Sequence, residues 1–155
     1  RINGESDWNY YFQDWYEPWW DKKLIKLSTD ILFEDNTFIN CCKLNFIHDN
    51  IIHRVSINTT KIIIPDKVNR ISIYAFKDCT KLKSIDLSNT NITQIDSGTF
   101  KNCINLTEIN LPQTLKRIYD NAFCNCKSLK QINISKNVKV HSNAFKDCNI
   151  IINYI

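Results

Sequence analysis

Hydrophobic positions recur along this chain in a repeating unit of 22 to 24 residues. The most regular unit carries aliphatic side chains at Leu82, Ile85, Leu87, Ile92 and Ile95, followed by Phe100 and Cys103. The equivalent phenylalanines stand at positions 76, 100, 123 and 145, spaced by 24, 23 and 22 residues. The alternation at Leu-x-x-Ile-x-Leu predicts a short strand with one buried face. The remaining apolar positions recur once per turn of a coil and do not follow a helix face.

A unit of this kind cannot bury its apolar side alone, but units stacked on one another form a continuous core. The phenylalanine and the cysteine three residues after it are the expected interior side chains of each coil. The predicted structural core therefore includes Phe76, Phe100, Phe123, Phe145, Cys79, Cys103, Cys126 and Cys148.

The repeated motif resembles the leucine-rich repeats of the BspA-like class, with units of the form Leu-x-x-Ile-x-Leu-Pro…Leu-x-x-Ile…Ala-Phe-x-x-Cys. Alanine precedes phenylalanine in three units, and Thr99 replaces it in a fourth. Pro65 and Pro112 keep the proline that ends the strand. The resemblance implies an α/β, β-rich solenoid: a right-handed superhelix with a parallel β-sheet on one face and short helical or irregular segments on the other.

The repeat divides the chain into three predicted regions. Residues 59–155 form a solenoid of about four units, and residues 37–58 form a divergent repeat with an insertion, because Phe38 and Phe76 are 38 positions apart. Residues 1–36 are acidic and aromatic and are predicted to be a cap or a degenerate first coil. The chain begins at Arg1 and contains no methionine, so we expect it to be a fragment or a processed product.

Seven cysteines cannot all pair within one chain. Stacked coils bring equivalent cysteines within the distance range of a disulfide, but parallel side chains rarely have its torsion. We therefore interpret the four repeat cysteines as buried free thiols. Cys124 and Cys42 stand outside this ladder and are the expected reactive thiols. The His and Cys spacings match no zinc motif, so we predict no metal and no cofactor.

In leucine-rich solenoids the exposed face of the parallel strands usually binds partners, and the resemblance carries this expectation to the outward strand positions. The candidate protein-binding residues are Ser84, Asp86, Glu108, Asn110, Gln131 and Asn133. They are small, polar and mildly acidic, without the aromatic and arginine side chains that dominate binding hot spots. A sheet face that is merely solvated is the competing interpretation.

The amino-terminal segment contains all four tryptophans, Trp8, Trp15, Trp19 and Trp20. Three interpretations compete: a cap that packs on the first coil, a patch that binds a sugar or a partner, and a membrane-interface anchor. Acidic neighbours argue against the anchor, because anionic lipid would repel them. At the other end, residues after Cys148 predict a final strand with an open edge, through which a second chain could associate.

Charge and motifs limit the function further. Residues 1–35 carry four basic and eight acidic side chains, whereas residues 36–155 carry sixteen and eight. The lysines are scattered singly among the repeats, which favours a solvated surface over nucleic-acid binding. Neither a catalytic triad nor a glycine-rich phosphate loop is recognisable, so we predict that the chain is not an enzyme.

Together these observations predict a protein-interaction module. The resemblance implies a cell-surface or extracellular protein that adheres to host or extracellular-matrix proteins. The alternatives are a cytoplasmic leucine-rich repeat scaffold, whose core thiols stay reduced, and carbohydrate recognition by the tryptophan-rich segment. Expected partners are therefore proteins, including other repeat proteins, and a glycan, but not nucleic acid.

Overall fold

The computed structural model describes residues 46–48 and 50–155. The tryptophan-rich segment, Phe38, Cys41, Cys42 and the predicted boundary at residue 36 lie outside the described residues. The described part contains ten short strands joined by turns. Their bounds are β1 Phe46–His48, β2 Ile51–Arg54, β3 Arg70–Ile71, β4 Ser84–Asp86, β5 Gln94–Ile95, β6 Glu108–Asn110, β7 Arg117–Ile118, β8 Gln131–Ile134, β9 Lys139–Val140 and β10 Ile151–Tyr154.

Apart from β1, which pairs antiparallel with β2, the strands stack in parallel from one coil to the next, which confirms the predicted solenoid. On one side β4 pairs with β6 and β8 pairs with β10. On a second side β5, β7 and β9 pair in series, and β2 pairs in the same sense with β3. We call the outward surface of β4, β6, β8 and β10 face A, and that of β3, β5, β7 and β9 face B. Over residues 50–155 the rest of each coil consists of turns, the irregular rather than the helical form of the predicted connection.

Buried aliphatic residues align between coils because the strands pair in register. Ile85 pairs with Ile109 on the first side, and Ile95 pairs with Ile118 on the second. All four are buried, so each coil covers the apolar surface of the one before it. Burying an aliphatic side chain of this size contributes about 1.5–3 kcal/mol, which explains why the coil is stable only in a stack.

The coil that precedes Phe76 has Val55 at its phenylalanine position. The Val55 N–H donates to Ala75 O at 2.8 Å, just as the Phe76 N–H donates to Thr99 O at 2.9 Å. Val55 is completely buried. The sequence pattern did not reveal this, because valine is not aromatic and the spacing from Val55 to Phe76 is shorter than the repeat.

A second feature missed by sequence reasoning is the acidic or amide residue two positions after each phenylalanine. The members of this set are Asp78, Asn102, Asn125 and Asp147, with φ between 59° and 63°. Aspartate and asparagine tolerate this left-handed conformation better than most residues. The Asn102 amide donates to Asp78 Oδ1 at 2.7 Å, and the Asn125 amide donates to Asn102 Oδ1 at 3.1 Å. The signal in the sequence is the repeated Phe-x-Asp/Asn-Cys.

Candidate interaction surface

Face A contains all six residues that the sequence proposed for protein binding. The strands β4 and β6 each expose their two end residues and bury the isoleucine between them, because a strand alternates its side chains. Backbone pairing places Ser84 beside Glu108 and Asp86 beside Asn110. On β8, Gln131 and Asn133 are exposed at the equivalent positions. The coiling thus arranges the six residues as two parallel rows.

One of the two rows consists of acidic and amide side chains. Asp86 Oδ1 accepts a hydrogen bond from the Ser88 N–H at 2.9 Å. Hydrogen bonds from the Ser88 side chain and backbone hold the pKa of the Asp86 carboxyl below its usual value. Further along the row, the Asn153 amide donates to Asn133 Oδ1 at 3.1 Å. The row therefore offers partners both hydrogen-bond donors and acceptors, together with a carboxylate that remains charged.

Exposed apolar side chains lie at the two ends of face A. Ile63, in the coil before β4, is half exposed. On β10, Ile151 and Tyr154 are exposed, as is Ile155 after it. Tyr154 pairs with the buried Ile134. Its register is thus that of an inward-facing residue, and it is exposed because no coil covers β10 in the described chain.

The repeat thiols form a separate ladder inside the solenoid. Cys103 Sγ donates to Phe76 O and Cys126 Sγ to Phe100 O, both at 3.1 Å, and Cys148 Sγ donates to Phe123 O at 2.9 Å. Cys79, Cys103 and Cys126 are completely buried, whereas Cys148 is half-buried at the end of the ladder. All the cysteines in the described part of the chain are free thiols.

Burial makes these thiols poor nucleophiles. It raises the pKa of Cys79 to about 12 and raises the pKa values of Cys103 and Cys126 as well. Cys124, expected to be reactive, is also buried, and its Sγ lies 4.0 Å from Asp147 Oδ2. The ladder contributes to packing and presents no thiolate at neutral pH.

The structure also shows where charged and metal-binding side chains lie. The His141 Nδ1 stands 3.4 Å from Asp120 Oδ1 on an exposed turn, and the same nitrogen accepts a hydrogen bond from the Asn143 N–H at 3.1 Å. Among residues 46–48 and 50–155, no three His, Cys, Asp or Glu side chains are grouped closely enough to hold a metal ion.

The repeat geometry agrees with a match to a known family. The sequence profile described as "BspA type Leucine rich repeat region" matches residues 45–155 in six copies. The chain belongs to the BspA-type leucine-rich repeat family. Leucine-rich repeat domains generally mediate protein–protein interaction and are typically binding modules rather than enzymes.

A solved structure supports the same assignment for this BspA-type protein. This chain is similar to the crystal structure of a leucine-rich repeat protein from Bacteroides ovatus. The two share 28% sequence identity, the TM-score is 0.55, and the match covers 74% of this chain. The match covers 26% of that protein, so this chain spans about a quarter of its length. No curated protein sequence gives a significant match.

The family assignment gives a general indication of location: BspA-type repeats are often found on bacterial surfaces. In the described ranges, no helix has both the length and the apolar character that crossing a bilayer requires. Trp8, Trp15, Trp19 and Trp20, the predicted aromatic patch, lie outside these ranges.

Proposed function

We propose that this chain is a non-enzymatic interaction module that binds proteins through face A. The observation that carries the proposal is the set of polar residues exposed at equivalent strand positions, which are paired in register between β4 and β6 and continue on β8. A stacked sheet presents the same group at about 4.8 Å intervals, so an extended partner segment can be contacted repeatedly. Individually weak contacts then add up, as multivalent binding requires.

We further propose that this chain is displayed on a cell surface and adheres to host or extracellular-matrix proteins. The family supports this, because its members are often found on bacterial surfaces. Face A also supports it: adhesion by many repeated units does not require the aromatic hot spot that a single tight interface uses.

The role of face A is tested by binding of the chain to a panel of immobilised extracellular-matrix proteins. The double variant Glu108→Ala/Gln131→Ala removes one carboxylate and one amide from face A. The matched control Asp66→Ala/Gln113→Ala removes the same two groups from exposed turns. We expect the face A variant to weaken binding to the captured protein about fivefold or more, and the control to leave it unchanged. Equal behaviour of the two variants would exclude face A as the binding surface.

An intracellular repeat scaffold is the second candidate, and the free thiols favour it. Cys79, Cys103 and Cys126 are all reduced and buried, as in proteins of a reducing compartment. Antiserum against the chain, applied to intact and to permeabilised source cells, separates the two locations. Labelling of intact cells supports adhesion, whereas labelling only after permeabilisation rejects it and leaves the scaffold.

Carbohydrate recognition by the aromatic segment rests on the sequence alone. Four tryptophans within residues 8–20 supply flat apolar faces on which sugar rings stack. A glycan array probed with the chain and with Trp15→Ala/Trp19→Ala tests it. Loss of a signal in the variant supports the proposal, and the absence of any signal for the original chain rejects it.

A further inference from the structure

Face B carries a row of basic side chains that is not apparent in the sequence. The residue before the inward aliphatic position of each strand points outward: Arg70 on β3, Gln94 on β5, Arg117 on β7 and Lys139 on β9. Backbone pairing places Gln94 beside Arg117 and Arg117 beside Lys139. Gln94, Arg117 and Lys139 thus span two intervals of about 4.8 Å, or about 10 Å, and Arg70 stands at the equivalent position on β3 of the preceding coil.

The three cations of this row are exposed and are not neutralised by neighbours. Arg70, Arg117 and Lys139 are all exposed, and Lys116 adds a fourth exposed cation beside Arg117. Among residues 50–155 no ion pair involves any of them. Like charges at directly paired strand positions repel each other, and this repulsion acts within the Debye length. The row thus has an electrostatic cost that an anionic ligand would relieve.

Two carboxylates, Asp96 and Asp120, lie near the row on face B. Asp96 lies two residues after Gln94, and its Oδ1 accepts a hydrogen bond from the Gln94 amide at 2.7 Å. Asp120, after β7, lies beside His141. Both carboxylates keep their charge, but in the described part of the chain neither forms an ion pair with Arg117 or Lys139. Four exposed cations, Arg70, Lys116, Arg117 and Lys139, outnumber these two carboxylates, so face B is basic where face A is mildly acidic.

We propose that face B binds a linear sulfated polysaccharide. Arginine presents a planar fork of donors to an oxyanion, lysine supplies a point charge, and Gln94 between Arg70 and Arg117 offers an amide to sugar hydroxyls. The row is straight and its charges recur at short intervals, so it suits a chain that carries an anionic group on successive units. This surface lies on a different side of the coil from face A and does not depend on the function proposed for that face.

The shape of face B favours a polysaccharide over nucleic acid. Reading of duplex DNA uses an element that enters a groove, whereas face B is a sheet surface with strands two residues long. Binding of single strands uses several aromatic stacking platforms. The four strands of face B and the residue after each contain one Phe, Tyr or Trp side chain, Tyr119, so this surface lacks a series of stacking platforms.

The experiment measures binding of the whole chain to heparin by calorimetry and by the salt concentration that elutes it from immobilised heparin. Arg117→Gln/Lys139→Gln removes two charges from the centre of the row. The control Lys83→Gln/Lys130→Gln removes two exposed charges from residues that precede β4 and β8, so it has the same net charge as the face B variant. We expect the face B variant to weaken binding about fivefold or more and the control less than twofold. The thermal midpoint of the face B variant should not fall, because its substitutions remove a repulsion.

Three results would overturn the proposal. They are the absence of heparin binding by the original chain, an equal loss of affinity in both variants, and tighter binding of a thymidine oligonucleotide than of heparin with the same dependence on Arg117 and Lys139. The second would reduce the interaction to net charge, and the third would identify nucleic acid as the ligand. A shallower dependence of affinity on salt in the face B variant than in the control would support the proposal, because fewer counterions are released.

Discussion

Two positions in each inner coil hold the backbone in the left-handed region, and all but one of them are occupied by a residue that tolerates it. The position before Cys is aspartate or asparagine in every described unit, while two residues before phenylalanine stand Tyr74, Gly98 and Asn121. Tyr74 is the costly exception, since a bulky side chain at positive φ is uncommon. Its ring lies against Gly98 of the next coil, in the space that a Cβ of residue 98 would need.

Replacing Gly98 with alanine should lower the free energy of unfolding by about 1–2 kcal/mol, because φ is +63° there and the new methyl group meets the Tyr74 ring. Denaturant unfolding measures the change. Gly98→Asn is the matched comparison, since Asn121 adopts a φ of 54° at the equivalent position. In a Tyr74→Ala background, where the ring is absent, we expect Gly98→Asn to lower the free energy of unfolding less than Gly98→Ala does. An alanine variant as stable as the original chain would contradict the assigned turn.

The buried thiols give stability a dependence on alkaline pH. A thiol in the unfolded chain has a pKa of about 8.5, whereas burial raises the pKa of Cys79 to about 12. Between these values the unfolded chain releases a proton that the folded chain retains. The contribution of Cys79 is therefore complete below about pH 8.5 and decreases by up to about 1.4 kcal/mol per pH unit as pH rises toward 12.

We expect the free energy of unfolding to decrease more steeply between pH 8.5 and about pH 10.5 in the original chain than in Cys79→Ala. The variant is less stable throughout because a cavity replaces the sulfur, so the slope and not the absolute value is the readout. Urea titrations at several pH values measure it. Identical slopes for the two proteins would show that burial does not keep the Cys79 thiol protonated in this pH range.

At the scale of the repeated elements, the phenylalanines form a continuous stack through the solenoid. The ring centroids of Phe76 and Phe100 are 4.9 Å apart, those of Phe100 and Phe123 are 5.2 Å apart, and those of Phe123 and Phe145 are 5.0 Å apart. Such offset pairs add about 0.5–1.5 kcal/mol to the burial of each ring. Phe145, at the end of the stack, is only half-buried.

Phe123→Ala should therefore destabilise the chain by about 3–5 kcal/mol, since it opens a cavity and removes two ring contacts. Phe145→Ala is the matched control: it removes one ring contact from a partly exposed site and should cost less. Thermal or denaturant unfolding compares the two. If Phe145→Ala were as costly as Phe123→Ala, the stacking order of the coils would be wrong.

Across the whole molecule, each coil is held mainly by the coils before and after it. The Phe100 N–H donates to Ala122 O at 2.7 Å, and the Phe123 N–H donates to Ala144 O at 2.8 Å, with a covering coil on both sides. The Ile151 N–H donates to Lys130 O at 2.9 Å in β10, which pairs with β8 and with no other strand of the described residues. Local opening is consequently easier at β10 than in the middle of the stack.

Hydrogen exchange of the 155-residue chain tests this difference. We expect the amides of Ile151 and Ile155 to exchange roughly tenfold faster than those of Phe100 and Phe123. The interior amides should exchange together, because their opening requires several coils to separate. Uniform protection from Phe100 to Ile155 would indicate that another chain covers β10, and dilution would then restore the faster exchange.

The sequence alone predicted the solenoid, its period and most of its interior. This was possible because stacking places equivalent residues on one another, so Phe76, Phe100 and Phe123 must recur at the same position to fill one continuous core. The candidate rows of face A followed from the same alternation. The sequence pattern did not predict Val55 as a core residue, because the shorter coil around it buries a smaller side chain at the phenylalanine position.

The tertiary structure decided which surface residues act together. Arg117 and Lys139 stand far apart in the chain and look like isolated charges, and the offset of about one repeat between paired strands places them side by side on face B. Arg70 stands at the equivalent position on β3 of an earlier coil. The same offset places each cysteine thiol under a carbonyl of the preceding coil. Periodicity shows which residues are equivalent, but only the coil geometry shows how close they lie and to which side they point.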